Sequence, residues 1–112
     1  MNSRDLLRSY VHFHNAGVVS GDFASMLELF ANDAEIHFFN TPFGPCIGRS
    51  AIEQAFATNP PSDQLELLEV KEQGSIVTGI YGWLQRPGKI AGTIAMTIEK
   101  DRIKRLDIHT GH

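Results

Sequence analysis

Tyr10 and His14 stand one helical turn apart in "RSYVHFHNAG", and a phenol beside an imidazole is a pair able to pass a proton. At about 100° per residue the apolar side chains of this segment cluster in one direction; His14 lies within about 20° of the centre of that stripe, whereas His12 points nearly opposite. His14 is therefore expected to face the interior and His12 the solvent. A buried imidazole can accept with one nitrogen and donate with the other, and loss of water lowers its pKa, so it is neutral and able to act as a base at pH 7. The other reading is a core histidine bonded to a backbone carbonyl or a water. Tyr10 has the same two readings, a hydroxyl that reaches ligand or a histidine nitrogen, or a ring that packs. A second stretch, "LFANDAEIHFFNTPFGP", carries no acid after Glu35. Its alternation turns Ile36 and Phe38 inward and Glu35 and His37 outward; a bulge near "HFFN" would turn His37 inward as a second base. Asn40, at the end of that strand, suits contact with a ligand carbonyl or hydroxyl, or is a turn residue before "TP". His37 and His109 have no metal-ligand spacing, and neither an H-E-x-x-H motif nor a carboxylate pair occurs. The single cysteine, Cys46, excludes an internal disulfide and a cysteine-cluster site. No metal and no cofactor are expected.

Positioning these groups requires elements that the hydrophobic pattern outlines. Leu6, Leu7, Tyr10, Val11, Phe13 and Val18 recur at helical spacing and predict a helix over 3–19. Asp22 can cap a second helix whose Phe23, Met26, Leu27 and Phe30 follow the i, i+3, i+4, i+7 pattern. A strand carries Ala34, Ile36 and Phe38. "SAIE" at Ser50–Glu53 reads as a capping box for a third helix running to about Ala57, which "NPP" stops. "LELLEVKE", "SIVTGIYGWLQ", "KIAGTIAMTIE" and "RIKRLDIHT" then read as four strands of a meander, separated by turns at "QG", "RPG" and "KD". Gly79 and Gly82 inside the long strand suggest sharp curvature. Val77, Tyr81 and Trp83 alternate on one face of that strand and Ile76, Thr78, Ile80 and Leu84 on the other. Met96, Ile94 and Ile98, with Ile108 and Leu106, add apolar wall, and Asp107 and His109 point outward. The fold class expected is α+β, a curved sheet burying one face against helices.

The 112 residues suit one domain, 1–112, and 21% charged against 42% hydrophobic residues is globular composition. A formal charge of −3 argues against nucleic acid or an anionic membrane as partner. "MNSRDLLRSY" lacks the pattern of a signal peptide, and no apolar run reaches the roughly 18 residues of a spanning helix; a cytoplasmic location is expected. Both faces of the long strand are apolar, so the face without helices calls for a partner chain, a homodimer being the simplest.

This order of elements, with "FHNAGVVSGDFASMLELFANDAEI" and "PFGPCIGRSAIEQAF", resembles the nuclear-transport-factor-2-like superfamily, which includes ketosteroid isomerase and the SnoaL-like polyketide cyclases. The likeness rests on the Gly-Asp before the second helix, "LFANDA", and Gly48 to Ile52, and is best over residues 3–57. It implies a cone of curved antiparallel sheet with three N-terminal helices packed on its concave face, an apolar pocket, and frequent dimerisation through the outside of the sheet. Counting from "LFANDA", the proton-shuttling aspartate of ketosteroid isomerase falls on Phe38, its enolate-binding tyrosine on His14, or on Tyr10 with a gap, and its assisting acid near Met96. The carboxylate is thus missing. Two functions follow. One is a small cofactor-independent enzyme moving protons on an apolar organic molecule (isomerase, dehydratase or cyclase), with His14 as acid or base and Tyr10 or Asn40 as hydrogen-bond donor. The alternative is a non-catalytic binding or dimerisation module of the same fold. In either case Phe38, Phe56, Tyr81, Trp83, Met96 and Ile108 are the expected ligand contacts. Epoxide hydrolysis would need an aspartate and an arginine converging inside, and the late strands offer only the outward Asp107.

Overall fold

The computed structural model describes residues 2–111. Helix α1 (Ser3–Ser20) opens on Asn2, whose side-chain oxygen accepts the Asp5 N–H at 2.8 Å, and closes on Gly21 at φ 83°, whose N–H returns to the Gly17 carbonyl; such a left-handed closing residue favours glycine. Its buried side is Leu6, Leu7, Tyr10, Val11, His14 and Gly17. Phe13 and Val18, expected in the stripe, flank it half-buried.

The second helix is shorter than its periodicity suggests. Helix α2 (Ala24–Leu27) is one turn, and Phe30 opens strand β1 (Phe30–Phe39). Phe23, Met26, Leu27 and Phe30 are all buried, so the stripe was real, but strand pairing claims its end: the Leu29 carbonyl accepts the Ile103 N–H at 2.8 Å and Phe30 pairs with Ile103. Asp22 is not the capping residue itself. It sits one position earlier and accepts the Ala24 N–H at 2.9 Å. Strand β2 (Cys46–Ile47), unforeseen, precedes α3 (Arg49–Thr58). The expected capping box does not form; the cap falls two residues earlier, on Gly48 at φ 92°, whose N–H is held by the Ala34 carbonyl, and Ser50 lies within the helix.

Strands β3 (Leu65–Gln73), β4 (Ile76–Trp83), β5 (Gly92–Glu99) and β6 (Arg102–Thr110) form the expected meander. The sheet is curved and unclosed, in the order β2-β1-β6-β5-β4-β3. It is not antiparallel throughout: the meander's three antiparallel pairs end in β6, which lies beside β1 and runs parallel to it. Helix α1 packs on β3 and β4, and α3 on β1 and β2. The β5–β6 turn is made by Lys100 and Asp101, both at positive φ, the backbone of a tight two-residue hairpin.

Gly79 and Gly82 pair with Val70 and Glu66 across the β3–β4 ladder. The irregularity in this pairing is on β3, where Leu68 is skipped between Leu67 opposite Tyr81 and Glu69 opposite Ile80. The glycines serve close approach instead. A Cβ on Gly79 would lie 2.8 Å from Leu67 Cδ1 and 3.0 Å from Leu7 Cδ2; one on Gly82 would strike the Lys89 carbonyl oxygen, and one on Gly92 the His109 carbonyl oxygen. Backbone cannot step aside as a flexible side chain can. Gly92→Ala is therefore expected to cost about 1 to 3 kcal/mol, while Gly44→Ala, with nothing within 4 Å of the new carbon, changes stability by less than about 0.5 kcal/mol. Urea denaturation of the two variants checks the contrast.

Candidate functional site

His14 is the single polar residue in the buried class among the described residues, at 6% exposure. It enters the core because it follows Leu7 and Tyr10 by two turns and one on the buried side of α1. Its ring centroid is 6.0 Å from that of Tyr10 and 6.4 Å from that of Phe23; Phe23 in turn meets Phe56 of α3 at 5.2 Å, and Tyr10 meets Phe30 edge-on at 6.1 Å. An aromatic file thus runs from the first strand through α1 to α3, with one imidazole in it. His12 is exposed, as expected.

A neighbour that carried no signal in the sequence holds the imidazole. His14 Nδ1 lies 3.1 Å from Asn15 Oδ1. The Asn15 amide is itself fixed to the first residue of β3: Oδ1 accepts the Leu65 N–H at 2.7 Å and Nδ2 donates to the Leu65 carbonyl at 2.9 Å. The partner lies fifty residues away, so no local spacing could have announced it. Burial lowers the His14 pKa below the usual imidazole value, and the Asn15 hydrogen bond opposes that shift in part.

Two phenols share this interior. Burial pushes the Tyr10 hydroxyl well above the ordinary phenol range, and the nearby Tyr81 phenol adds to the effect. Tyr81 is also raised by burial, with a hydrogen bond to the Thr110 side chain acting against it. Both stay protonated and can serve as hydrogen-bond donors at neutral pH. Asn40 lies elsewhere: it is exposed, at φ 63°, and its amide donates to the Thr110 carbonyl at 3.1 Å, tying the ends of β1 and β6.

Register lines up the remaining residues. Phe38 stands opposite Ile108 and Ile108 opposite Ile94; Ile36 stands opposite Leu106, Leu106 opposite Met96 and Met96 opposite Val77. Met96 and Tyr81 are sealed in the core, while Phe38, Phe56, Trp83 and Ile108 keep part of their surface exposed. Trp83 meets Tyr81 edge-on at 5.6 Å, and Phe38 meets the exposed Phe43 at 5.9 Å. Pairing from Glu35 to Phe39 against β6 is unbroken, so no bulge at "HFFN" turns His37 inward. His37 Nε2 lies 2.7 Å from Glu35 Oε1 on the outer face, opposite Asp107, which accepts from Arg105 at 2.8 Å; His109 stacks flat on Phe39 at 4.4 Å. No group of three or more metal-ligating side chains is found among the described residues. Two surface cavities, of ≈ 520 Å³ beside Arg4, Glu72 and Thr78 and ≈ 470 Å³ beside Phe13, Arg49 and Arg102, are lined by none of the expected site residues.

The buried imidazole makes a pH signature. With its folded pKa below the unfolded value of about 6.5, the unfolded chain binds the extra proton first, so the stability from neutral His14 is complete above pH 6.5 and is lost as pH falls through the folded value. Tyr10 and Tyr81 act oppositely, their contribution being lost as pH rises above about 10. Denaturation followed against pH should show an acid limb of at most about 1.4 kcal/mol per pH unit from His14, and His14→Phe should flatten it. An unchanged acid limb in the variant would assign the loss to other groups.

No family model matches the chain, and neither does any curated protein. Solved structures do. An NTF2-like protein of unknown function from Cytophaga hutchinsonii superposes with a TM-score of 0.77 at 19% identity, over 99% of this chain and 91% of its own. A protein provisionally described as a polyketide cyclase, from Sinorhizobium meliloti, matches at 0.63 and 25% identity, over 88% of this chain and 92% of its own. One provisionally described as a ketosteroid isomerase, from Kribbella flavida, matches at 0.75 and 15% identity, over 97% of this chain and 77% of its own. Six strands in this order, three helices and these superpositions agree: the chain has the NTF2-like, SnoaL-like fold.

Proposed function

We propose that the chain is a cofactor-independent, single-domain enzyme of SnoaL-like type that moves a proton on a largely apolar organic molecule, as an isomerase, dehydratase or cyclase, with His14 as the base. The observation that carries this is the one residue of the buried polar class among the described residues: an imidazole kept neutral by burial, among aromatic rings and with the Tyr10 phenol beside it. No carboxylate is buried with it, and Phe38 fills the row where the resemblance would have put one. A neutral imidazole replaces that carboxylate, and Tyr10, Tyr81 or a reoriented Asn40 supplies the hydrogen bond to the charge that develops. The ligand lies against the half-exposed Phe38, Phe56, Trp83 and Ile108, above a floor of Tyr81 and Met96, within a cone closed by the helices. Cyclase and isomerase descriptions of two proteins of this fold lend support. The rival is a binding module of the same fold without turnover, for which the lack of a buried carboxylate among the described residues speaks.

A carbon-acid probe separates the two. 5-Nitrobenzisoxazole loses its ring C–H proton to a base as its N–O bond breaks and a coloured cyanophenolate forms. The wild type should accelerate this elimination by at least about 100-fold over His14→Phe, with a rate that rises through a pKa below 6.5 and then stays level, the variant remaining as folded as the wild type. Equal rates, with a fluorescent apolar dye still bound, would put the binding module in front. A Δ5-3-ketosteroid should not be isomerised.

The proposed assembly is a homodimer through the outer sheet face. Ile76 and Leu84 are 43% exposed there, next to Thr78 and Ile80, a patch that water does not favour. No helix of the described chain is long and apolar enough to cross a membrane; a second copy would cover the patch with the same apolar face. Light scattering should give twice the 12.4 kDa of one chain, and Ile80→Glu should give the single-chain mass; a single-chain mass for the wild type would refute the dimer.

A further inference from the structure

We infer that Asn15 is a positioning residue that selects the tautomer of His14, holding the proton on Nδ1 and leaving Nε2 as the basic nitrogen. The steps are ones of donor and acceptor chemistry. A backbone N–H can only donate, so the Asn15 atom 2.7 Å from the Leu65 nitrogen is the amide oxygen; a backbone carbonyl can only accept, so the atom 2.9 Å from the Leu65 oxygen is the amide NH2. The orientation of the amide is therefore dictated by β3. Its oxygen has nothing to donate, so at 3.1 Å from it His14 Nδ1 must bring the hydrogen. A neutral imidazole has one such hydrogen, and Nε2 is left with its lone pair.

The second nitrogen is not shut in. No hydrogen bond from the described residues reaches Nε2, and among them no side-chain nitrogen or oxygen is both sealed from solvent and without a partner. Nε2 is thus open to a proton, a water or a ligand. A free histidine in water prefers the reverse arrangement, with hydrogen on Nε2, so the clamp changes which atom is basic. The tautomer follows from the geometry alone; its catalytic consequence rests on the base role proposed above.

Two-dimensional spectra correlating the His14 ring protons with both nitrogens, taken on the 15N-labelled full chain at mildly alkaline pH, read the tautomer directly. The expected result is a pyrrole-type shift on Nδ1 and a pyridine-type shift on Nε2. Asn15→Ala should move the ring toward hydrogen on Nε2 or toward a mixture. Asn15→Asp keeps an acceptor for both Nδ1–H and the Leu65 N–H, so it should retain the wild-type tautomer while raising the pKa of His14 by at least one unit, the new charge favouring imidazolium. Should Asn15→Ala fail to fold, the wild-type spectrum and the Asn15→Asp titration decide. Hydrogen on Nε2 in the wild type, an Asn15→Ala tautomer unchanged from it, or no pKa rise in Asn15→Asp would overturn the inference. The expected tautomer in a protein that leaves 5-nitrobenzisoxazole untouched would sink the enzyme reading and leave this one standing.

Discussion

Helix α1 is fastened at both ends to one edge strand, and the interior takes its shape from that. At its start Ser3 and Arg4 bond the carboxylate of Glu72, near the end of β3; toward its finish Asn15 bonds both backbone groups of Leu65, where β3 begins. Twelve helical residues rise roughly 18 Å, and seven strand residues with one bulge span about 20 Å, so the two attachments match in length. Between them, Gly79 offers no side chain and Leu7 and Leu67 close over the gap. An exposed bond such as Arg4 to Glu72 contributes little by itself. The Asn15 clamp has more consequence, because it satisfies two groups on the open edge of a sheet.

That placement explains a polar side chain in the core. An imidazole one turn after Tyr10 must go wherever the stripe goes, and the stripe goes inside. Taking a neutral ring out of water costs about 1 to 3 kcal/mol for a nitrogen left unpaired. Asn15 removes that cost at Nδ1, and no side-chain nitrogen or oxygen among the described residues is both sealed from solvent and unpaired, so the ring sits in the core without an orphaned nitrogen.

What the sequence made legible was whatever depends on short-range period. Helix α1, the four meander strands, the inward His14, Ile36 and Phe38 and the outward Glu35, His37, Asp107 and His109 all follow from spacing, since burial of one face fixes the register of the rest. What it hid depends on distant backbone. Phe30 satisfies a helical pattern and a strand equally well, and the Leu29 to Ile103 bond decides for the strand. The capping box at Ser50 gives way to Gly48 because Ala34 holds that backbone. The parallel pairing of β1 with β6 is a matter of connection that no local window contains. Asn15 belongs to the same class: its role is written in Leu65, not in its neighbours.

Under the proposed reading the chemistry is bounded by the same burial that makes His14 a base. An imidazole with a lowered pKa is neutral over a wide range but holds a proton weakly, so it is matched to carbon acids already activated by an adjacent carbonyl or by a departing group. Phenols raised by burial balance it: Tyr10 and Tyr81 donate hydrogen bonds firmly and do not ionise. With no buried carboxylate among the described residues, protonated His14 has no fixed anion beside it to stabilise it and returns its proton within the same turnover. Isomerisation and dehydration do so, giving the proton back to another carbon or to the leaving oxygen. Epoxide opening would call for an aspartate and an arginine converging inside, and the Arg105–Asp107 pair lies on the outer face of the sheet.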